Sequence, residues 1–186
     1  MSKIKIFELP MAGLKRIKRE KIGDNRGFLE RLFCEQSLEE AGWVKSISQI
    51  NHTFTAKHGT VRGMHFQHTP NAEMKLIHCI RGEVWDVAVD IRLGSPTFLN
   101  WHAEKLSSIN GLAMLIPEGF AHGFQTLTDD VEMLYCHSAP YSVEAEGGLN
   151  PIDPLLDISW PLKITELSNR DASHPRITPK FNGIKK

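Results

Sequence analysis

The sequence predicts an all-β domain, a sandwich or jelly roll, with one short helix and a loop-rich C-terminal wrap. Three observations carry that expectation. Short apolar segments recur at roughly 8–15-residue spacing with turn residues between them. One of the segments alternates with period two. After Pro140 the periodicity dissolves into the turn-rich stretch YSVEAEGGLNPIDPLLDISWPL and a polar tail from Thr165.

Strands are expected near 14–22, 28–33, 44–51, 60–67, 74–80, 83–91, 98–106, 112–116, 121–127 and 131–138. The breaks are GDNRG (23–27), AKHG (56–59), HTPN (68–71), RG (81–82), LGSP (93–96), SSING (107–111), PEG (117–119) and TDD (128–130). Each holds Gly, Pro, Asn or Asp, which tolerate tight-turn dihedrals. MKLIHCI-RG-EVWDVAVDI reads as a β-hairpin, with Trp85, Val87, Val89 and Ile91 alternating with Asp86, Ala88 and Asp90. The one short helix is expected at QSLEEAG (36–42), ended by Gly42.

Size and charge narrow the class. A chain of 186 residues favours a single domain, 1–186, large enough to bury a core. Its 22 basic and 22 acidic residues balance, which argues against a nucleic-acid or membrane-surface protein. No apolar run approaches the roughly 20 residues that span a bilayer. The N-terminus, MSKIKIFELP, lacks the apolar region of a signal peptide. Cys34, Cys79 and Cys136 form no CxxC and fit reduced thiols in a cytoplasm.

Polar residues inside apolar strands point to a site. His65 lies between Met64 and Phe66, Lys75 beside Leu76 and Ile77, and His122 between the same-face residues Phe120 and Phe124. Tyr135 alternates with Val131 and Met133, and Gln49 and Asn51 share a strand face. Buried groups of these types cost several kcal/mol unless paired or hydrated. Their recurrence on several strands predicts a polar-lined cavity inside an apolar barrel, suited to a small molecule. Strict alternation sends Arg62 and His65 to opposite faces, and a bulge at Gly63 would aim both inward.

The residues also bear on two other chemistries. His65, His68, Glu73 and His122 are imidazoles and a carboxylate that would suit Fe, Mn or Zn. Phe66 and Gln67 separate the first two histidines, however, so a continuous strand sets them on opposite faces. Nucleophilic catalysis has no GxSxG to rest on, and no Gly-rich phosphate loop occurs. A noncatalytic carbohydrate-binding jelly roll stays open as a third reading.

The chain resembles the dTDP-4-dehydrorhamnose 3,5-epimerase family of nucleotide-sugar epimerases. The matching stretches are DNRGFLER (24–31), SQIN (48–51), HGTVRGMHFQ (58–67), MKLIHCIRGEVWDVAVDIRLGSPTF (74–98), LIPEGFAHGFQTL (115–127), EMLY (132–135), DPLLDISWP (153–161) and LSNRD (167–171). The resemblance implies a metal-free, cupin-type jelly-roll barrel, a homodimer with an N-terminal strand reaching into the partner's sheet, and a nucleotide sugar as substrate. It implies that His65 is the general base, Asp171 the carboxylate orienting it, Tyr135 the general acid on the opposite face, and Lys75 the group that stabilises an enolate oxygen. It places Arg26, Glu30, Gln49, Asn51, Arg62, His122, Tyr141 and Glu146 at or near contacts with nucleotide, diphosphate or sugar.

Those residue types suit the chemistry. A hydrogen beside a ketone is acidic because its carbanion delocalises onto oxygen. An imidazole with an ordinary pKa of about 6.5 can take it near neutral pH. A carboxylate favours the imidazolium that forms, a cation stabilises the enolate, and a phenol can return a proton from the far side. That chemistry requires no metal or redox cofactor. Glu73 stands where the family usually has Gln, and Pro151 near where it often has Trp. Both departures leave dTDP, CDP and GDP, hexose and heptose, and inversion at carbon 3, carbon 5 or both as alternatives. Tyr135 argues against the related ketoisomerases.

Overall fold

Period-two patterning requires a strand to bury one face or both, and here the central strands bury both. The computed structural model describes residues 4–185. Its elements are β1 (Ile4–Glu8), β2 (Lys15–Arg19), β3 (Ile22–Asp24), β4 (Gly27–Leu29), α1 (Glu35–Glu39), β5 (Gln49–Thr55), β6 (Thr60–Gln67), β7 (Lys75–Arg81), β8 (Glu83–Asp90), β9 (Trp101–Ser107), β10 (Leu112–Ile116), β11 (Phe120–Thr126), β12 (Val131–His137), β13 (Glu146–Gly148), β14 (Glu166–Leu167) and α2 (Asn169–Ser173). One sheet runs β1-β2-β10-β7-β12-β5, and the other runs β13-β6-β11-β8-β9 with β14 added parallel to β6. The two sheets face each other as a jelly-roll barrel.

Three apolar layers hold the barrel together. Ile77, Val84, Ala88, Met114, Phe124 and Met133 fill the space between the sheets. Leu38 and Ala41, with Trp43, cover the outer face of the first sheet against Ile17, Leu76 and Leu115. The C-terminal wrap covers the other, with Leu149, Leu156 and Ile184 against Val87, Val89 and Ala121. The alternation in β8 thus divides two buried faces. Val84, Asp86 and Ala88 lie inward, while Val87 and Val89 pack under the wrap.

The structure corrects several expectations. β7 and β8 are not a hairpin, because β7 pairs with β10 and β12 while β8 pairs with β9 and β11. Arg81-Gly82 instead carries the chain from one sheet to the other. Gly82 holds φ +74, and a Cβ there would meet Thr128 Oγ1 at 2.6 Å. The strand expected at 28–33 is the second arm of a small hairpin, β3–β4, whose turn is closed by Asp24 accepting from the Arg26 backbone N–H. The strand expected at 44–51 begins later, since Trp43 and Ile47 serve the outer layer. β1 forms the edge of its own chain's sheet, paired with β2. The polar tail folds in part, as the five-residue α2, whose polar sequence carries no helical periodicity. The three cysteines are free thiols, and no helix among the described residues is long and apolar enough to cross a membrane.

Candidate active site

Gly63 creates the site's geometry. Across the β6–β11 ladder His122 faces His65 and Phe124 faces Arg62, so three steps in β6 span two in β11. The extra residue is a bulge. Gly63 sits at φ +131, and a Cβ on it would lie 2.5 Å from Gly123 Cα. The bulge turns Arg62 and His65 toward one cavity of about 560 Å³. Asn51, Thr53, Lys75 and Tyr135 line it from one sheet, and Arg62, His65 and His122 from the other. Tyr141, Glu146, Ser168, Arg170 and Asp171 close its rim.

His65 is held by a carboxylate from the wrap. Its Nε2 lies 2.8 Å from Asp171 Oδ1, and the Gly63 backbone N–H donates to Asp171 Oδ2 at 3.1 Å. Asp171 is placed by α2, where the N-cap Ser168 Oγ accepts the Asp171 N–H at 3.0 Å. Burial opposes charge on this carboxyl, but the hydrogen bond and charge of His65, the Gly63 N–H and Arg170 outweigh it and bring it to about 2. Asp171 therefore takes the Nε2 hydrogen, and Nδ1 keeps the ring's lone pair.

The opposite wall carries the ammonium and the phenol. Lys75 Nζ donates to the His65 carbonyl at 3.2 Å and lies 3.2 Å from Glu73 Oε1. Glu73 Oε2 is 2.7 Å from His137 Nδ1. Tyr135 packs edge-on to His122 and stacks on His137, with ring centroids 6.1 and 6.0 Å apart. Burial pushes its hydroxyl well above the ordinary phenol range, which keeps the proton on oxygen.

A second histidine–carboxylate pair lies deeper. His122 Nε2 is 2.7 Å from Asp86 Oδ1, and Asp86 is fully buried. Burial raises the Asp86 carboxyl, against the opposing charge of His122. At the rim, Tyr141 Oη donates to Glu146 Oε2 at 3.1 Å, and Arg170 Nη1 donates to Glu146 Oε1 at 3.0 Å. The same guanidinium lies beside His65, with Nη2 2.9 Å from Nε2; with the Nε2 hydrogen directed at Asp171, both nitrogens are donors and this contact is not a hydrogen bond.

His65, Asp171, Tyr135, Lys75, Asn51, Arg62, His122, Tyr141 and Glu146 therefore meet at one cavity. Gln49 stands just behind, donating to Asn51 Oδ1 at 2.9 Å. Arg26 and Glu30 do not join them. The Arg26 side chain is 90% exposed and paired with Asp24, and Glu30 lies near Arg19 at 3.5 Å. Nor does the fold gather His65, His68, Glu73 and His122 around a metal position. His68 is exposed beside a separate hollow, Glu73 is held by Lys75 and His137, and His122 by Asp86. Among the described residues, the three potential metal ligands close to one another are His65, Asp171 and His174.

Sequence reasoning missed His137, Arg170 and Asp86 as site residues. His137 was within reach of it, two residues from Tyr135 on the same strand face. Asp86 shares the inward face of β8 with Val84 and Ala88. Arg170 gave no periodic signal, because it lies in the five-residue α2.

A family model for dTDP-4-dehydrorhamnose 3,5-epimerase matches residues 8–178. A dTDP-4-dehydrorhamnose 3,5-epimerase of Sinorhizobium fredii is 43% identical over 170 residues, covering 91% of this chain and 87% of the relative. The crystal structure of the Bacillus anthracis enzyme of that name, with TDP and PPi bound, superposes with a TM-score of 0.90 at 36% identity, covering 94% of this chain and 100% of that one. A Legionella pneumophila dTDP-6-deoxy-D-glucose-3,5-epimerase in complex with dTDP-4-keto-L-rhamnose gives a TM-score of 0.88 at 38% identity, with 92% of each chain covered.

Proposed function

The chain belongs to the dTDP-4-dehydrorhamnose 3,5-epimerase family, and from that membership and its cavity we propose an isomerase that epimerises a nucleotide-linked 4-keto sugar through an enolate. The observation that carries this reading is the convergence of a carboxylate-held imidazole from one sheet and an ammonium and a phenol from the other on one cavity. Residues 1–186 act as one epimerase domain.

His65 Nδ1 removes a proton from a carbon beside the C4 ketone. The resulting imidazolium is stabilised by Asp171, whose ionised state is supported by its depressed pKa. Negative charge moves to the ketone oxygen, and Lys75 meets it with the N–H left over from its two protein contacts. Tyr135, kept protonated by burial, delivers a proton to the other face of the ring. Arg62 and Arg170 at the cavity supply positive charge for a diphosphate.

The nucleotide is dTDP, on the strength of the relatives that hold TDP or a dTDP sugar. The enzyme works in the cytoplasm of a bacterium making a surface polysaccharide such as lipopolysaccharide or capsule. It is a homodimer. The β3–β4 hairpin pairs with no other strand among the described residues and exposes Ile22, Phe28 and Leu29, which suits cover by a second copy. Arg26 and Glu30 ride on or beside that hairpin and serve the nucleotide across the dimer, and β1, paired with β2 on one side, adds its free edge to the partner's sheet.

The test is incubation in deuterium oxide with dTDP-, CDP- and GDP-4-keto-6-deoxy sugars, followed by NMR. Deuterium is expected at carbon 3, carbon 5 or both of the dTDP sugar. Uptake with a CDP or GDP sugar alone would reassign the nucleotide. No uptake with any of them would replace the epimerase with a noncatalytic sugar-binding jelly roll.

A further inference from the structure

On the reading that the cavity binds a 4-keto sugar, the wall opposite His65 is a continuous series of hydrogen bonds. The Tyr141 backbone N–H donates to Gln49 Oε1 at 3.0 Å, and Gln49 Nε2 donates to Asn51 Oδ1 at 2.9 Å. Asn51 Nδ2 lies 3.3 Å from His137 Nε2, and His137 Nδ1 lies 2.7 Å from Glu73 Oε2. Glu73 Oε1 meets the Lys75 ammonium at 3.2 Å. Strand register brings these groups together, since His137 stands across from Gln49 on one side and Lys75 on the other.

Both ends of the series have fixed polarity. A backbone N–H and an ammonium can only donate. Each amide and the imidazole between them offers one donating and one accepting end. Every contact can be matched only if one member accepts on both sides, and an ionised carboxylate is such a member. Burial resists charge on Glu73, yet Lys75 and His137 together hold it below its ordinary range. His137 must then carry its hydrogen on Nδ1 and a bare lone pair on Nε2. A glutamine at 73 leaves two donors face to face. The clash falls at Lys75 or, with every amide and the His137 tautomer reversed, between Gln49 Nε2 and the Tyr141 N–H.

We propose that Glu73 and His137 are positioning residues: Glu73 acts as the double acceptor that sets the direction of every hydrogen bond on this wall, and so decides which amide end of Asn51 meets the sugar and how Lys75 is held.

The experiment reads the His137 ring nitrogens by long-range ¹H–¹⁵N correlation in labelled protein at neutral pH without sugar. It therefore fails or succeeds separately from the deuterium test of the activity. The parent is expected to show hydrogen on Nδ1 and none on Nε2. Glu73→Gln is expected to move the hydrogen to Nε2 and lower kcat/KM about tenfold or more, from one unsatisfied buried donor. Glu73→Asp should restore the Nδ1 hydrogen. His137→Gln, which can accept from Asn51 and donate to Glu73, should keep far more activity than His137→Leu. A parent ring protonated on Nε2, equal losses in the two His137 variants, or a Glu73→Gln enzyme with unchanged tautomer and kinetics would each overturn the proposal.

Discussion

His65 and His122 face each other across the β6–β11 ladder, and each holds a carboxylate, at 2.8 and 2.7 Å. Their surroundings differ. Asp171 also accepts the Gly63 N–H and lies near Arg170, so its charge is supported from several sides. Asp86 Oδ2 is buried with no hydrogen-bond partner among the described residues. The Asp171 carboxyl is accordingly depressed to about 2, while burial raises that of Asp86. The His65 side chain is 27% exposed, toward the cavity, whereas that of His122 is 6% exposed. On the proposed function, in which His65 is the base, a short bond to a carboxylate is not by itself what sets a base apart. Access for the sugar and further donors behind the carboxylate separate the two pairs.

The largest effect expected from this contrast is on proton exchange. His65→Ala should slow deuterium uptake at the sugar about 100- to 10,000-fold, the usual contribution of a positioned general base. His122→Asn should cost about tenfold or less. Equal losses would erase the distinction between the pairs. Next comes the carboxylate. Asp171→Asn should reduce turnover about 100-fold or more, because an amide can fix the wrong imidazole tautomer. Asp86→Asn should stay within about tenfold of the parent. A larger loss from Asp86→Asn would move the base to the deeper pair.

The smallest effect is on stability, and its sign differs between the two. Asp171 has a depressed folded pKa, so it stabilises the fold above the ordinary carboxylate range and loses that contribution as pH falls through about 2. Asp86 has a raised folded pKa, so its ionisation costs stability at neutral pH, and the cost fades on acidification. At pH 7 Asp171→Asn should lower Tm by about 3–10 °C, from about 1.5–3 kcal/mol for a hydrogen bond to a charged group. Asp86→Asn should melt at or above the parent temperature. Calorimetry of the two variants at pH 7 and pH 4 would sharpen the contrast or remove it.

The barrel was largely legible in the sequence because its strands announce themselves by β-branched and apolar runs between turn residues. Partnership was less so. Arg81-Gly82 has the local chemistry of a hairpin, but β7 pairs with β10 and β12 and β8 with β9 and β11, so the turn joins two sheets through long-range partners that local sequence does not mark. The position of Trp43 in the outer layer likewise hid the true start of β5. In the site, His65, Lys75, His122 and Tyr135 stood out as polar groups in apolar strands. The Gly63 bulge, which brings Arg62 beside His65, was readable from a glycine amid an otherwise strand-like run. Asp171 was reached by resemblance alone, since a five-residue helix whose one apolar residue is Ala172, capped by Ser168, has no apolar stripe to mark it.

The carboxylate behind His65 comes from a part of the chain made after the strands of both sheet paths. A polypeptide interrupted just before Glu166 would possess the strands from β1 to β13, with the imidazole in place and nothing to steady its positive form. During synthesis, catalytic competence would thus be acquired late, after the barrel's scaffold has left the ribosome.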